Sequence, residues 1–184
     1  MLPFGITFHP GGARAFVPVP ANRLAGCAVA LEDLWDGAAR ELFEQLANAR
    51  DFAARVTLVQ RALLRRQRPL DGEVAAALRR LRAEPGLPIG ALAGDTASAR
   101  RLERKFLRDV GVPPKRLARM FRLQLAVRLW LAGEAHTRSD LAARAGYSDQ
   151  SHMVHEFGDL AGAPPGRILE RERRMSDSYK TGAL

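Results

Sequence analysis

The chain has little cysteine and no long apolar run, and each shortage excludes a class of protein. Its single cysteine, Cys27, cannot form an internal disulfide, so nothing indicates an oxidising compartment. No apolar stretch approaches the ~20 residues that a membrane-spanning helix needs, and the N-terminus lacks the pattern of a secretory signal. We therefore expect a cytoplasmic protein with no membrane partner.

Signatures of catalysis are missing as well. The sequence has no nucleophile–base pair, no glycine-rich phosphate loop and no cluster with metal-ligand spacing. His152 and His155 lie three residues apart, as two metal ligands on one helix face do, but no cysteine or further histidine accompanies them. The sequence therefore predicts neither an enzyme, nor a cofactor, nor a metal site.

Positive charge is abundant and unevenly placed. The formal net charge of the 184 residues is +9. Residues 98–128 contribute +8 of local charge, whereas residues 129–170 contribute −3. The ten basic residues of the first segment are Arg100, Arg101, Arg104, Lys105, Arg108, Lys115, Arg116, Arg119, Arg122 and Arg128. Such a distribution favours a polyanionic partner, although it fits many other proteins too.

The N-terminal residues alternate large and small side chains in the manner of strands. Residues 4–8 and 13–19 flank a His-Pro-Gly-Gly turn, which predicts a β-hairpin. Two strands cannot bury their own faces or pair both edges. The hairpin is therefore either the last piece of a larger β-domain whose earlier strands are missing from the chain, or it packs on the helices that follow.

From residue 31 the apolar period becomes helical. One helix is predicted over residues 31–49, a second after the cap Asp51 with Phe52 in its buried stripe, and a third after the cap Asp71. The basic run at residues 65–68 ends the second helix, where cations suit the helix dipole. We interpret this run as a solvated helix end.

An internal repeat organises the rest of the chain. Residues 91–114 and 140–165 each predict a short helix, a turn, a second helix capped by Ser98 or Ser148, and a Gly-Pro stop. With an offset of 51 residues, Phe106, Gly111, Pro113 and Pro114 recur as Phe157, Gly162, Pro164 and Pro165. This order is typical of the helix-turn-helix, whose second helix can lie in a DNA major groove.

The second helix of each copy has an apolar and a polar face. In the first copy the apolar face carries Ala99, Leu102, Phe106 and Val110, and the opposite face carries Arg100, Arg101, Arg104 and Arg108. Arginine can bind guanine through two hydrogen bonds and can also pair with phosphate, and Glu103 can accept from a cytosine amino group. In the second copy, Ser151, His152, His155 and Asp159 face outward.

One long helix is predicted between the two copies. It begins at Pro113-Pro114 and continues for about 19 residues, or ~28 Å at 1.5 Å per residue. That length can hold two binding units near the ~34 Å spacing of one DNA turn. Arg116, Arg119 and Arg122 on this helix are candidate phosphate contacts.

Residues from about 89 to 168 resemble the DNA-binding domain of the bacterial AraC/XylS family of transcription regulators. The resemblance rests on the motifs SARRLERKF, GVPPKRL, RLQLA and GYSDQSH, with the final F-x4-GAPP. It implies two helix-turn-helix units joined by one helix, and RNA polymerase as a second partner. It further implies base contacts by Arg100, Glu103 and Arg104 in the first unit and by Gln150, Ser151, His152 and His155 in the second.

The N-terminal FGITFHPGG and LEDLW segments are similar to the end of the sensory domain in some family members. Two other features depart from the family pattern. Ser98 is five positions after Ala93, whereas Ser148 is six positions after Ala142, so the first turn is one residue short. His155 stands where the family usually has arginine.

The predicted fold is therefore mainly α, with two helix-turn-helix subdomains joined by a long linker helix and preceded by a short β-hairpin and a helical segment. The predicted divisions are a sensory-domain remnant at 1–30, a helical connector at 31–86, the DNA-binding domain at 87–170 and a flexible tail at 171–184. We expect a sequence-specific transcription regulator with recognition helices at about 99–110 and 149–160 in successive major grooves. The alternative is a truncated or degenerate family member, an interaction module whose helical N-terminal half binds a partner or forms a homodimer.

Overall fold

The computed structural model describes residues 5–180, with side-chain surroundings as far as residue 176. Within these residues the regular elements are helices, and no strand is present. The α-helices are α1 (Glu32–Trp35), α2 (Gly37–Ala47), α3 (Phe52–Leu64), α4 (Gly72–Ala83), α5 (Thr96–Asp109), α6 (Pro114–Leu131), α7 (Arg138–Arg144), α8 (Gln150–Ala161) and α9 (Pro165–Lys180). Short 3-10 helices occupy Ala13–Ala15, Ala21–Arg23 and Ile89–Leu92.

The chain divides into two compact units that are not continuous in sequence. Unit 1 consists of Met1–Leu78 and Ala93–Pro113, and unit 2 consists of Arg79–Leu92 and Pro114–Leu184. The mainly α fold is confirmed for the described residues, and so is a long helix starting at Pro114. That helix, α6, has 18 residues.

The predicted β-hairpin is wrong. Residues 5–8 have no regular structure, and the second predicted strand begins as the 3-10 helix at Ala13–Ala15. The segment bonds to helices instead: Trp35 Nε1 donates to the Phe16 carbonyl (3.1 Å), and the Arg68 amide donates to the Ala15 carbonyl (2.7 Å). A two-stranded hairpin has only marginal stability alone, so packing on helices prevails. Phe4, the first residue of the predicted hairpin, lies outside the described residues.

A small hydrophobic cluster joins the first three helices of unit 1. Trp35, Ala39 and Leu42 are buried in it, and Leu58 of α3 packs against them. The helix predicted over residues 31–49 is interrupted at Asp36, whose φ of 51° separates α1 from α2. Phe52, expected inside, is 70 % exposed because it is the first residue of α3, at the end of the helix remote from the cluster.

Unit 1 also contains α5, and the N-terminal segment contacts its C-terminal end. Gly111 follows this end with φ +89°, and a side chain there would lie 3.2 Å from the backbone oxygen of Ala21. Glycine suits this position on both counts, because other residues are strained at positive φ and a Cβ here would be unusually close to the Ala21 backbone. The predicted glycine stop after the first recognition helix is thus confirmed, and it seats the segment preceding α1.

Helices α6 to α9 build the core of unit 2. Leu141 of α7, Met153 and Phe157 of α8, and Leu169 of α9 are buried together, with Ala126 of α6. The turn between α7 and α8 passes through Gly146, which has φ +82° and would bring a side chain within 3.0 Å of the Gly86 Cα. The contact of two glycines therefore lets the Pro85-Gly86 turn lie directly against this helix-turn-helix.

The last helix is longer than expected. Residues 171–180, assigned from the sequence to a flexible tail, continue α9 as far as Lys180. Arg174 Nε pairs with Glu170 Oε1 at 3.0 Å, one turn away. Such a pair supports the helix in this part of α9, where the sequence has no apolar period. The final four residues lie outside the described part of the chain.

We predict that Phe106→Ala and Phe157→Ala each lower the free energy of unfolding by ~3–5 kcal/mol, because both side chains are fully buried and their removal leaves cavities. Denaturant unfolding followed by circular dichroism measures the loss. Val154→Ala, at a position 38 % exposed on α8, is the control and should cost under ~1 kcal/mol. Losses as small as the control at both phenylalanines would contradict the core assignment.

Candidate nucleic-acid interface

The two helices predicted to read DNA, α5 and α8, begin at aspartate caps. The Asp95 carboxylate accepts from the Ser98 amide (2.9 Å), and the Asp149 carboxylate accepts from the His152 amide (2.7 Å). The predicted caps Ser98 and Ser148 are therefore wrong, because a charged carboxylate near the helix start satisfies the free amides and suits the helix dipole. These backbone hydrogen bonds lower the pKa of Asp95 and of Asp149.

The first predicted base-reading set lies on the exposed face of α5. Arg100, Glu103 and Arg104 are exposed, and none of them forms a hydrogen bond or ion pair with any described residue. Buried Leu102 and Phe106 lie on the opposite side of the helix, as expected. Ala99, expected among the buried residues, is exposed because α5 begins three residues earlier than the predicted helix. The face thus presents two unengaged guanidinium groups and one carboxylate.

The remaining cations of α5 are bound to carboxylates of unit 1. Lys105 Nζ lies 2.9 Å from Asp71 Oδ2 and 3.2 Å from Glu73 Oε2, and Arg101 Nε lies 3.7 Å from Glu73 Oε2. The hydrogen bond between Lys105 and Asp71 raises the pKa of Lys105 and lowers that of Asp71. Asp71 also accepts hydrogen bonds from the Glu73 and Val74 amides at the start of α4. The one carboxylate therefore links the start of α4 to the side of α5.

Arg108, another predicted DNA contact, is paired at the end of α5. Its Nε and Nη2 each donate to the Asp109 carboxylate at 2.7 Å. Asp109 is only 3 % exposed and also accepts from Arg14 Nε at 3.3 Å. The buried carboxylate therefore fixes Arg108 on one side and the N-terminal segment on the other.

The exposed face of α8 carries three of the four predicted contacts. Gln150, Ser151 and His155 are exposed, and the Gln150 side chain accepts from Ser139 Oγ at 3.3 Å. His155 Nε2 lies 3.7 Å from Asp159 Oδ2, one turn along the helix. This face offers amide, hydroxyl and imidazole groups but no guanidinium.

His152, the fourth predicted contact, is held by its neighbours. Its Nδ1 lies 3.0 Å from Ser148 Oγ, its Nε2 lies 3.2 Å from Glu156 Oε1, and its ring meets Tyr147 edge-on. The Ser148 amide also points at Nδ1 (3.4 Å), so the arrangement suits a proton on Nε2 that is donated to Glu156. His152 therefore links the start of α8 to a buried acid.

Glu156 is that acid, and sequence reasoning missed it. It is 4 % exposed and accepts from Arg119 Nε (3.0 Å) and from Arg122 Nε (3.3 Å) and Nη2 (2.6 Å). Arg119 also donates to Asp159 at 2.6 Å, which raises the pKa of Arg119. The available signal was spacing: Glu156 is three residues after buried Met153, and the two arginines are three apart on α6.

Arg122, predicted to contact DNA, thus lies in the interior of unit 2. Its side chain is 14 % exposed, its guanidinium stands 5.6 Å from the Tyr147 ring centre, and Nη1 reaches the Pro85 carbonyl at 3.5 Å. Burial raises the pKa of Tyr147, and the nearby Glu156 charge adds to this shift. The arginine therefore connects α6, α8 and the Pro85-Gly86 turn.

Ion pairing divides the ten basic residues of the 98–128 segment into two sets. Each member of the engaged set has a carboxylate partner: Arg101, Lys105, Arg108, Arg119 and Arg122. Each member of the unengaged set is exposed and has no carboxylate partner among the described residues: Arg100, Arg104, Lys115, Arg116 and Arg128. Net charge alone therefore overstates what this segment can offer to phosphate.

The two helix-turn-helix units differ before their second helices. The second has a full first helix, α7, whose N-cap is Thr137. The first has only the 3-10 helix Ile89–Leu92, followed by Ala93, Gly94 and the cap Asp95. The shortened spacing noted in the sequence thus coincides with a shorter first helix.

Comparison with known families supports a DNA-binding domain. Residues 93–171 match the model of a family described as a helix-turn-helix domain, of the AraC type. Domains of that family are DNA-binding regulatory modules. No curated protein and no solved structure matches the chain. Among residues 5–180, no helix combines the length and apolar character needed to cross a bilayer.

We predict that Glu156→Gln lowers the free energy of unfolding by about 3 kcal/mol, because it leaves the largely buried Arg122 without a counter-charge and Arg119 with Asp159 alone. The matched control is Glu134→Gln, which breaks the exposed pair with Arg144 (3.1 Å) and should cost under ~1 kcal/mol. Denaturant unfolding of both variants is the measurement. Equal losses of unfolding free energy in the two variants would show that the ion pairs of buried Glu156 contribute no more to stability than the exposed pair of Glu134.

Proposed function

We propose that the protein is a sequence-specific transcription regulator that inserts α5 and α8 into major grooves of double-stranded DNA. The observation that carries this proposal is the outward face of α5, where Arg100 and Arg104 are exposed and have no partner among the described residues. The match of residues 93–171 to a helix-turn-helix domain supports it. Successive grooves, RNA polymerase as a partner, a homodimer and a cytoplasmic location belong to the same proposal.

The first helix-turn-helix reads bases through three side chains of α5. Arg100 and Arg104 are four residues apart, so both lie on one helix face, and each can donate two hydrogen bonds to guanine O6 and N7. Glu103 beside them can accept from the amino group of cytosine. No internal ion pair needs to break before these groups meet DNA.

The engaged cations have a different role in this proposal. Arg101 is half-exposed and loosely paired, so it can still turn toward a phosphate. Arg108 and Arg122 bind buried carboxylates and serve as positioning residues, which hold α5 and α8 in place. Their removal would then weaken DNA binding through loss of structure and not through loss of a contact.

The second helix-turn-helix reads bases more weakly. Gln150 and Ser151 at the start of α8 and His155 one turn later are its contacts, and His152 orients the start of the helix. Gln can bind adenine through two hydrogen bonds, and serine accepts or donates to several bases. Because this face has no arginine, we expect the larger share of affinity from α5 and α6.

The proposal is tested by titrating the protein against a fluorescent pool of random duplexes at several salt concentrations. If the five unengaged cations each neutralise one phosphate of a random duplex, the slope of log K against log salt is about −4.5. Selection from the same pool should then recover a common sequence. Absence of binding at low salt would instead favour the interaction module.

We predict that Arg104→Ala weakens binding to the selected sequence by ~1–3 kcal/mol and relaxes preference at one base position. His155→Ala should cost much less, because an imidazole lacks the planar guanidinium that binds guanine through two hydrogen bonds. Titrations of both variants against the selected duplex at pH 7.5 decide this.

A larger effect of His155→Ala than of Arg104→Ala at pH 7.5 would reverse the assignment and make α8 the principal reader. Val154→Ala serves as the control on the same face of α8, since it alters an exposed side chain without changing charge.

A further inference from the structure

A cleft of about 420 Å³ lies between α2 and α3 in unit 1. The residues that line it come from α2, which contributes Glu41 and Leu42, from α3, which contributes Leu58 and Ala62, and from the two residues after α3. Leu42 is buried in the hydrophobic cluster, and Leu58 and Ala62 pack against that cluster. The floor of the cleft is therefore aliphatic and rests on the ordered interior of unit 1.

Three arginines form one wall of this cleft. Arg61, Arg65 and Arg66 line it, and Glu41 is the only acidic residue among the lining side chains. The Glu41 carboxylate already accepts a hydrogen bond from Gln45 Nε2 at 3.0 Å. The lining thus carries an excess of two positive charges above an apolar floor.

The arginines of the wall are engaged to different degrees. Arg66 is fixed, because its guanidinium lies 4.5 Å from the Trp35 ring centre and its Nη1 donates to the Ala62 carbonyl at 3.0 Å. Arg61 and Arg65 have no side-chain partner among the described residues. To complement the helix dipole, these arginines need only lie near the end of α3, yet they also line the cleft.

The shape and charge define the chemistry of a ligand. Clefts of a few hundred Å³ suit small organic molecules, whose apolar part is buried while a few polar groups fix the orientation. A planar guanidinium matches a carboxylate through two parallel hydrogen bonds. The aliphatic floor accommodates a hydrocarbon chain, which a simple inorganic anion lacks.

We infer that the α2–α3 cleft binds an amphiphilic monocarboxylate, with the carboxylate between Arg61 and Arg65 and the hydrocarbon chain on Leu42, Leu58 and Ala62. The site lies outside the matched helix-turn-helix domain, so it adds a small-molecule input to the proposed regulator. Binding at this site does not depend on the proposed DNA function.

Isothermal titration calorimetry of the full chain with octanoate, below its micellar concentration, tests the inference. Octanamide, which keeps the chain but lacks the charge, should bind at least about tenfold more weakly, the scale of one lost hydrogen bond to a charged group. Acetate, which keeps the charge but lacks the chain, should also bind at least about tenfold more weakly, because burial of each methylene contributes to affinity.

The double variant Arg61→Gln/Arg65→Gln should bind octanoate at least about tenfold more weakly than the original chain. Arg40→Gln/Arg79→Gln is the matched control, since it removes the same charge from exposed positions outside the cleft and should leave affinity unchanged. Circular dichroism confirms that both variants are folded. Absence of saturable octanoate binding, equal affinity for octanamide, or equal affinities of the two double variants would each overturn the inference.

Discussion

Two buried carboxylates, one on each proposed recognition helix, hold four arginine side chains in place. Asp109 at the end of α5 holds Arg14 and Arg108, and Glu156 within α8 holds Arg119 and Arg122. A charge with so little exposure is stable only when it is paired and hydrogen-bonded, so each carboxylate commits two guanidinium groups. Each unit thereby fixes its recognition helix to another part of the same unit.

This constraint decides which basic residues remain for DNA. Sequence spacing places Arg100, Arg101, Arg104 and Arg108 together on one polar face, yet their surroundings differ. Arg100 and Arg104 extend from α5 without partners among the described residues, whereas Arg108 is bound through two hydrogen bonds. An unengaged guanidinium can meet a base or a phosphate without the loss of an internal ion pair. The ion pairing therefore separates the proposed reading side chains from the proposed positioning side chains within a single helix.

Local patterns predicted the helices in part. The apolar periods located most helices and the prolines located the start of α6, because these depend on neighbouring residues, but the break at Asp36 and the caps Asp95 and Asp149 were missed. The hairpin prediction was wrong because a hairpin depends on partner strands for stability, and this segment packs on helices instead. Arg122 looked like a surface cation because its partner Glu156 lies 34 residues away, and no local pattern shows such a pair.

The most direct test compares two double variants of α5 that lose the same net charge. Arg100→Gln/Arg104→Gln removes unengaged cations, and Lys105→Gln/Arg108→Gln removes cations that pair with Asp71 or Asp109. The measurement is the salt dependence of binding to random duplex DNA. We predict that the first pair reduces the slope of log K against log salt by about 1.8, from ~0.9 for each phosphate contact, and that the second pair changes it by less than about 0.5. Equal reductions, or a larger one for the second pair, would contradict the division between reading and positioning residues.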